Sequence, residues 1–174
     1  MNIDLIAQMK SSADFFEAYK EGDEKKTYQG VSLIFYSLAN TDAVSRYEIS
    51  AFLIDKGVNV AMRNSNEATA LHVLLGHVEH NISETIELCK RLIESGVDVG
   101  ALDKKNISIM QSIVNIGIHE DNLETLYDVL FAQENLDFLS KNFRGFSPKD
   151  LALKDGTRPK LIERMNAHER RKND

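Results

Sequence analysis

Tryptophan is absent from this 174-residue chain, cysteine occurs once and proline twice. The lone Cys89 excludes an intrachain disulfide and any Cys-x-x-Cys metal or redox pair, which points to a reducing compartment. With nine glycines and two prolines, collagen-like and Pro/Gly-rich low-complexity chains are excluded as well. No stretch approaches the roughly 18 uninterrupted apolar residues of a membrane helix. The opening Met1-Asn2-Ile3-Asp4-Leu5 has neither the basic stretch nor the apolar run of a secretion signal, so a cytoplasmic location is expected. Also missing are a Gly-x-Gly-x-x-Gly turn, a phosphate loop and a nucleophile elbow. The expectation is a chain that is not an enzyme and needs no cofactor.

What is present is the balance of a soluble globular protein, 43% hydrophobic and 28% charged. A compact chain of this length hides about 70% of the surface its unfolded form exposes, enough for one continuous core and a single domain over 1–174. Lys and Arg number 21 against 27 Asp and Glu, a net charge of -6. The segment 158–174 departs from this acidity, with Arg158, Lys160, Arg164, Arg170, Arg171 and Lys172 against Glu163, Glu169 and Asp174. Cations near a helix C-terminus complement its dipole, which accounts for that tail without a nucleic-acid role. An acidic body repels phosphate backbones and anionic lipid and attracts a basic partner. Neither nucleic acid nor membrane is therefore an expected partner.

A 39-residue offset superimposes two long stretches of the chain. Gly57-Val58-Asn59-Val60, Gly96-Val97-Asp98-Val99 and Asn135-Leu136-Asp137-Phe138 each follow an apolar helical run, so Gly57, Gly96 and Asn135 read as left-handed helix stops. Beyond each stop comes a capped start: Thr69-Ala70-Leu71-His72, Ser108-Ile109-Met110-Gln111 and Ser147-Pro148-Lys149-Asp150, with Ser32-Leu33-Ile34-Phe35 as an earlier relative. Ser83 and Asn122 are the expected caps of the second helix in two of the units. The surplus length of each unit falls between its paired helices, at 76–82 and 116–121. Helices over 3–20 and 158–171 are expected to close the two ends.

These residues resemble the ankyrin repeat. Thr69-Ala70-Leu71-His72 is similar to that family's Thr-Pro-Leu-His helix start, Gly96-Val97-Asp98-Val99-Gly100-Ala101-Leu102-Asp103 to its hairpin, and Gly145-Phe146-Ser147-Pro148 to its Gly-x-Thr-Pro turn. The resemblance implies an all-α repeat solenoid of about four helix-loop-helix units joined by hairpin-like extended segments. Its parts would be an N-terminal cap (1–22), repeats at 24–63, 64–102 and 103–141, and a C-terminal repeat with its cap (142–172). The departures are units longer than the family's roughly 33 residues, a single starting Pro and His, and Asn135 and Asp128 in place of a Gly and an apolar residue. In this family the His and Thr of the helix start lock it by hydrogen bonding, which implies the same for His72.

Cys89, on the apolar face of a helix with Leu88 and Leu92, reads as a small buried hydrophobe. His77-Val78-Glu79-His80 and His119-Glu120-Asp121 form the one constellation suited to a transition metal, with His80 and His119 one period apart. The bland alternative is a pair of solvated loops. The resemblance also implies partner binding through the hairpin tips: Arg63, Asn64, Ser65 and Asn66; Asp103, Lys104, Lys105 and Asn106; Asn142, Phe143 and Arg144. Phe143 beside Arg144 has the composition of an interface hot spot, or else folds back to close the core. Tyr28, Phe35 and Tyr36 are expected in the core. Small acidic ankyrin-like proteins resemble the immunity proteins of bacterial toxin systems. The implied function is thus a monomeric cognate inhibitor of a basic partner such as a toxin domain; the alternatives are an adaptor bridging two proteins and a metal-binding protein.

Overall fold

A hydroxyl side chain that satisfies the free amides of a first turn starts a helix wherever apolar residues follow at helical spacing. The computed structural model, which describes residues 1–173, has ten helices among them: α1 Ile3–Met9, α2 Ser12–Ala18, α3 Leu33–Leu38, α4 Ala43–Asp55, α5 Ala70–Leu75, α6 Ile82–Glu94, α7 Ile109–Asn115, α8 Glu124–Phe131, α9 Pro148–Asp155 and α10 Pro159–Asn173. Two-residue strands, β1 Thr27–Tyr28 and β2 Val31–Ser32, pair antiparallel around Gln29 and Gly30, both at positive φ as this tight hairpin turn requires. Asp174, counted above in the basic tail, lies outside the described residues. The chain is mostly helical, and no described helix is long and apolar enough to cross a membrane.

The chain forms two compact units, Met1–Asp98 and Val99–Asp174. In the first, α1, α3 and α5 pack side by side as one layer, and α2, α4 and α6 as the other. In the second, α7 packs on α9 and α8 on α10. The buried residues repeat with the sequence. Leu33, Ile34, Ser37 and Leu38 of α3 correspond to Ala70, Leu71, Leu74 and Leu75 of α5 and to Ile109, Met110, Ile113 and Val114 of α7, an i, i+1, i+4, i+5 stripe that gives each short helix one buried face. Phe35 is also buried, whereas Tyr28 and Tyr36 are half-buried and pack edge to face.

Three helix starts close as their residues require. In α5 the Thr69 hydroxyl lies 2.9 Å from Nδ1 of His72, so His72 holds the helix start. In α9 Ser147 and Asp150 cap each other and Pro148 occupies the first turn, where no amide is needed. In α2 Ser11 and Asp14 form the same reciprocal box. That box divides the expected helix over 3–20 into α1 and α2, because capping α2 at Ser11 leaves the chain extended at Lys10 and Ser11.

Two further expectations are corrected. The second helices do not start at Ser83 and Asn122: α6 is capped two residues earlier, at Asn81, and α8 begins one residue later, after Leu123, with no side-chain cap. Asp42 accepts from the Ser45 amide and Asn81 from that of Glu84, while Ser83 lies inside α6 and Asn122 in a 3₁₀ turn over Glu120–Asn122. Starting at Asn81 turns Thr85, Leu88, Cys89 and Leu92 inward. Gly57 and Gly96 are left-handed, at φ +78° and +98°, and the amides of Val58 and Val97 reach back to the Leu53 and Leu92 carbonyls. Asn135 is not left-handed. The buried residues of this unit explain why: Leu123, Leu126, Tyr127 and Leu130 follow Thr85, Leu88, Cys89 and Leu92 by 38 residues, whereas Leu136 and Phe138 follow Val97 and Val99 by 39. The extra residue widens the turn after α8, so no single left-handed position is needed. The same one-residue shift puts Tyr127 in the place of Cys89 and leaves Asp128 exposed.

Candidate interaction surface

Three loops joining an extended segment to the next helix share one geometry down to individual hydrogen bonds. Oδ1 of Asn64 accepts from the amides of Asn66 and Ala68, Oδ1 of Asp103 from Lys105 and Ile107, and Oδ1 of Asn142 from Arg144 and Phe146, all within 2.7–3.3 Å. The amides of these three residues donate across the loop to the carbonyls of Ala68, Ile107 and Phe146. The fourth residue of each tip is left-handed: Glu67, Asn106 and Gly145, at φ +59°, +54° and +81°. A short amide or carboxylate side chain that satisfies two backbone amides is how Asn and Asp stabilise such turns. Asn64, Asp103 and Asn142 are therefore scaffold, and Asn142 is buried, its amide also donating to Oε1 of Gln111 at 2.7 Å.

The remaining tip residues project outward. In the first unit Arg63 pairs with Asp98 at 2.9 Å, and Ser65 and Asn66 are exposed. In the second unit Lys104, Lys105, Asn106, Phe143 and Arg144 are exposed, Phe143 by 59%. The amide of Phe143 donates to the Lys105 carbonyl at 2.9 Å and so ties the two tips of this unit together. Lys105 Nζ and the Arg144 guanidinium lie 5.5 and 5.2 Å from the centre of the Phe143 ring. Phe143 thus stands at the surface between two cations and takes no part in closing the core.

The histidine loops are built differently. His77 donates from Nε2 to the Leu38 carbonyl at 2.6 Å, and its Nδ1 accepts from Arg46 at 3.2 Å. His80 donates from Nε2 to the His77 carbonyl at 2.9 Å, and its Nδ1 lies 3.2 Å from Thr85 Oγ1. Thr85 in turn meets the Tyr47 hydroxyl, which accepts from the Asn81 amide. Arg46 has only donors, so Nδ1 of His77 accepts and His77 is neutral, and donation from Tyr47 to Thr85 and from Thr85 to Nδ1 of His80 suits a neutral His80. Burial lowers the pKa of each, the carbonyl each bonds opposes this, and the Arg46 cation lowers it further. His119 is exposed, its Nδ1 taken by the Asp121 amide. Among the described residues no group of three or more His, Cys, Asp or Glu side chains is placed to hold a metal ion. Cys89 is fully buried, and burial pushes its thiol up to about 12.

Two arginines are buried: Arg46, which the sequence pattern does not single out, and Arg158, which is not a solvated cation at a helix C-terminus as the tail's composition suggests but precedes the first residue of α10. Arg46 is 1% exposed, donates to the carbonyls of Asn40 and Glu79, and meets no carboxylate among the described residues. Arg158 caps the carbonyls of Val114, Ile116 and Ile118 past the end of α7, while Glu120 accepts from the Lys160 and Leu161 amides at the start of α10. Both cations sit where helix ends leave carbonyls without donors. The available signal was positional: Arg46 precedes the buried Thr85 by one 39-residue period.

No family model matches the chain, and no curated protein does. Solved structures do. The chain is similar to the crystal structure of a functionally unknown protein from Leptotrichia buccalis C-1013-b, at 26% identity and a TM-score of 0.86, over 99% of this chain and 95% of that one. The likeness extends over the length of both chains, and that protein's description carries no activity.

Proposed function

We propose that the chain is a non-enzymatic protein-interaction module of ankyrin-type repeats whose hairpin tips receive the partner. The observation that carries this reading is Phe143, a large apolar side chain held outward on a tip fixed by hydrogen bonds. An exposed aromatic flanked by cations on a rigid turn is the composition of an interface hot spot. Rigidity lowers the entropy lost on binding. The 39-residue unit, the repeated tip geometry and the Thr69–His72 helix start support the ankyrin-type assignment.

The sharpest form of this reading is a cognate inhibitor that covers a partner's working surface, as immunity proteins do. It predicts a tight one-to-one complex that abolishes an activity of the partner, whereas an adaptor would hold two partners at once. The test replaces Phe143, Arg144 and Lys104 together by alanine and measures capture of the cognate protein from cell extract, with identification by mass spectrometry. Loss of capture with an unchanged unfolding midpoint is expected. Undiminished capture, or a large drop in the midpoint, refutes the assignment of these residues to a binding surface.

A further inference from the structure

Net charge alone makes a basic partner the natural expectation, yet that charge is confined to one part of the molecule. Residues 1–98 hold nine basic and fifteen acidic side chains, whereas 99–174 hold twelve of each. Within the second unit the signs are again separated. Arg164 meets Asp128 at 2.5 Å, and Lys160 meets Asp121 at 2.8 Å and Glu124. In the first unit Arg63 and Arg91 likewise meet Asp98 and Asp55. Among the described residues Lys104, Lys105 and Arg144 have no such ion-pair partner. Asp103, the acid of the same tip, directs Oδ1 to the amides of Lys105 and Ile107.

Resting on the reading that the tips receive a protein partner, we infer that Lys104, Lys105, Phe143 and Arg144 bind an acidic segment of that partner, with carboxylates on the three cations and an apolar side chain against the Phe143 ring. Arg144 offers a planar fork suited to a carboxylate. The two lysines add point charges, and the ring supplies apolar area that only a partner can cover. The bond from the Phe143 amide to the Lys105 carbonyl sets these groups in place before binding. A peptide fits better than nucleic acid, because three cations and one ring match a few carboxylates, whereas a polyanion gains affinity from many phosphate contacts.

The test pans a random-peptide display library on the immobilised full chain, on the F143A variant and on the K104E/K105E/R144E variant. Peptides selected by the native chain should be enriched about three-fold in Asp and Glu over the input, and the charge-reversed variant should select Lys and Arg instead. A selected acidic peptide, synthesised with a fluorescein label, should bind either variant about ten-fold more weakly, and the native chain more weakly at high than at low salt. Unfolding midpoints of both variants should match the native one. Selection of basic or uncharged peptides that still depends on Phe143 overturns the charge assignment and leaves the interaction surface standing. Selection no better than on a blank support overturns both. Displacement of the acidic peptide by an equal concentration of a 12-nucleotide single-stranded DNA overturns the choice of a protein partner.

Discussion

Arg46 is the most informative single position for stability, because a fully buried cation with no carboxylate has to be held by neutral acceptors. It donates to the Asn40 and Glu79 carbonyls at 2.9 Å each and to His77 Nδ1 at 3.2 Å, while its Nε has no partner. Arg46→Met keeps the unbranched stem and removes the donors. The buried Asn40 carbonyl and the two partly buried acceptors, left without donors, cost about 1 to 2 kcal/mol each, so roughly 3 to 6 kcal/mol in all. Relief of the orphaned Nε and of the cation's desolvation returns about 1 to 2 kcal/mol. The expected net loss is about 2 to 4 kcal/mol, a fall in the thermal midpoint of about 4 to 16 °C for a chain of this size. Urea unfolding followed by far-UV circular dichroism at pH 7.5 measures the free energy, and amide exchange should show the 76–81 loop opening first. A loss below about 0.5 kcal/mol, or a gain, would mean that desolvation outweighs these three bonds, and the reasoning from unsatisfied acceptors would fail.

Four other outcomes follow from the same structure. His168 is buried, His77 and His80 are half-buried, and all three have folded pKa values below the ordinary 6.5, so the unfolded chain binds more protons in mild acid. Stability should be full above pH 6.5 and decline as pH falls from there toward 5, before the carboxylates titrate; a flat midpoint across that window refutes the neutral-imidazole chain. Gly100→Ala places a methyl group against the Asn135 backbone carbonyl and should destabilise by about 1 to 3 kcal/mol, whereas Gly117→Ala meets nothing within 4 Å and should stay within about 0.5 kcal/mol. Cys89 should react with a thiol-specific disulfide reagent only as fast as the protein unfolds, and rapid labelling of the native chain would contradict its burial. Phe143→Ala alone should leave the unfolding midpoint within about 2 °C, since it removes an exposed ring; a larger fall would return Phe143 to the core.

The features legible in the sequence are those that short segments decide for themselves. Thr69 with His72 and Ser147 with Pro148 start helices because the capping groups lie within three residues of one another. Gly57 and Gly96 stop helices because a glycine tolerates the left-handed backbone that the Val58 and Val97 hydrogen bonds need. The 39-residue period exposed the tips, and the side chains named there include those that project from them. The box of Ser11 and Asp14 is equally local, and it divides the helix that the apolar pattern over 3–20 suggests.

Other features depend on residues distant in sequence. Asn81 rather than Ser83 caps α6 because Thr85, Leu88, Cys89 and Leu92 must face the layer beside them. Asn135 loses its left-handed role to a one-residue shift visible only in which side chains of α8 are buried. His77 and His80, attractive as ligands on spacing, are committed to the Leu38 carbonyl, Arg46 and Thr85, partners that pairwise spacing does not encode. The tips divide in the same manner: Asn142 turns inward to Gln111, and Phe143 stands outward between Lys105 and Arg144. Sequence alone thus determined the helical repeat, its period and the place of its turns, because backbone preferences and caps act over a few residues. The tertiary structure decided which polar groups are buried and which charges are left unpaired, because burial and pairing are set by neighbours that the chain brings together only on folding.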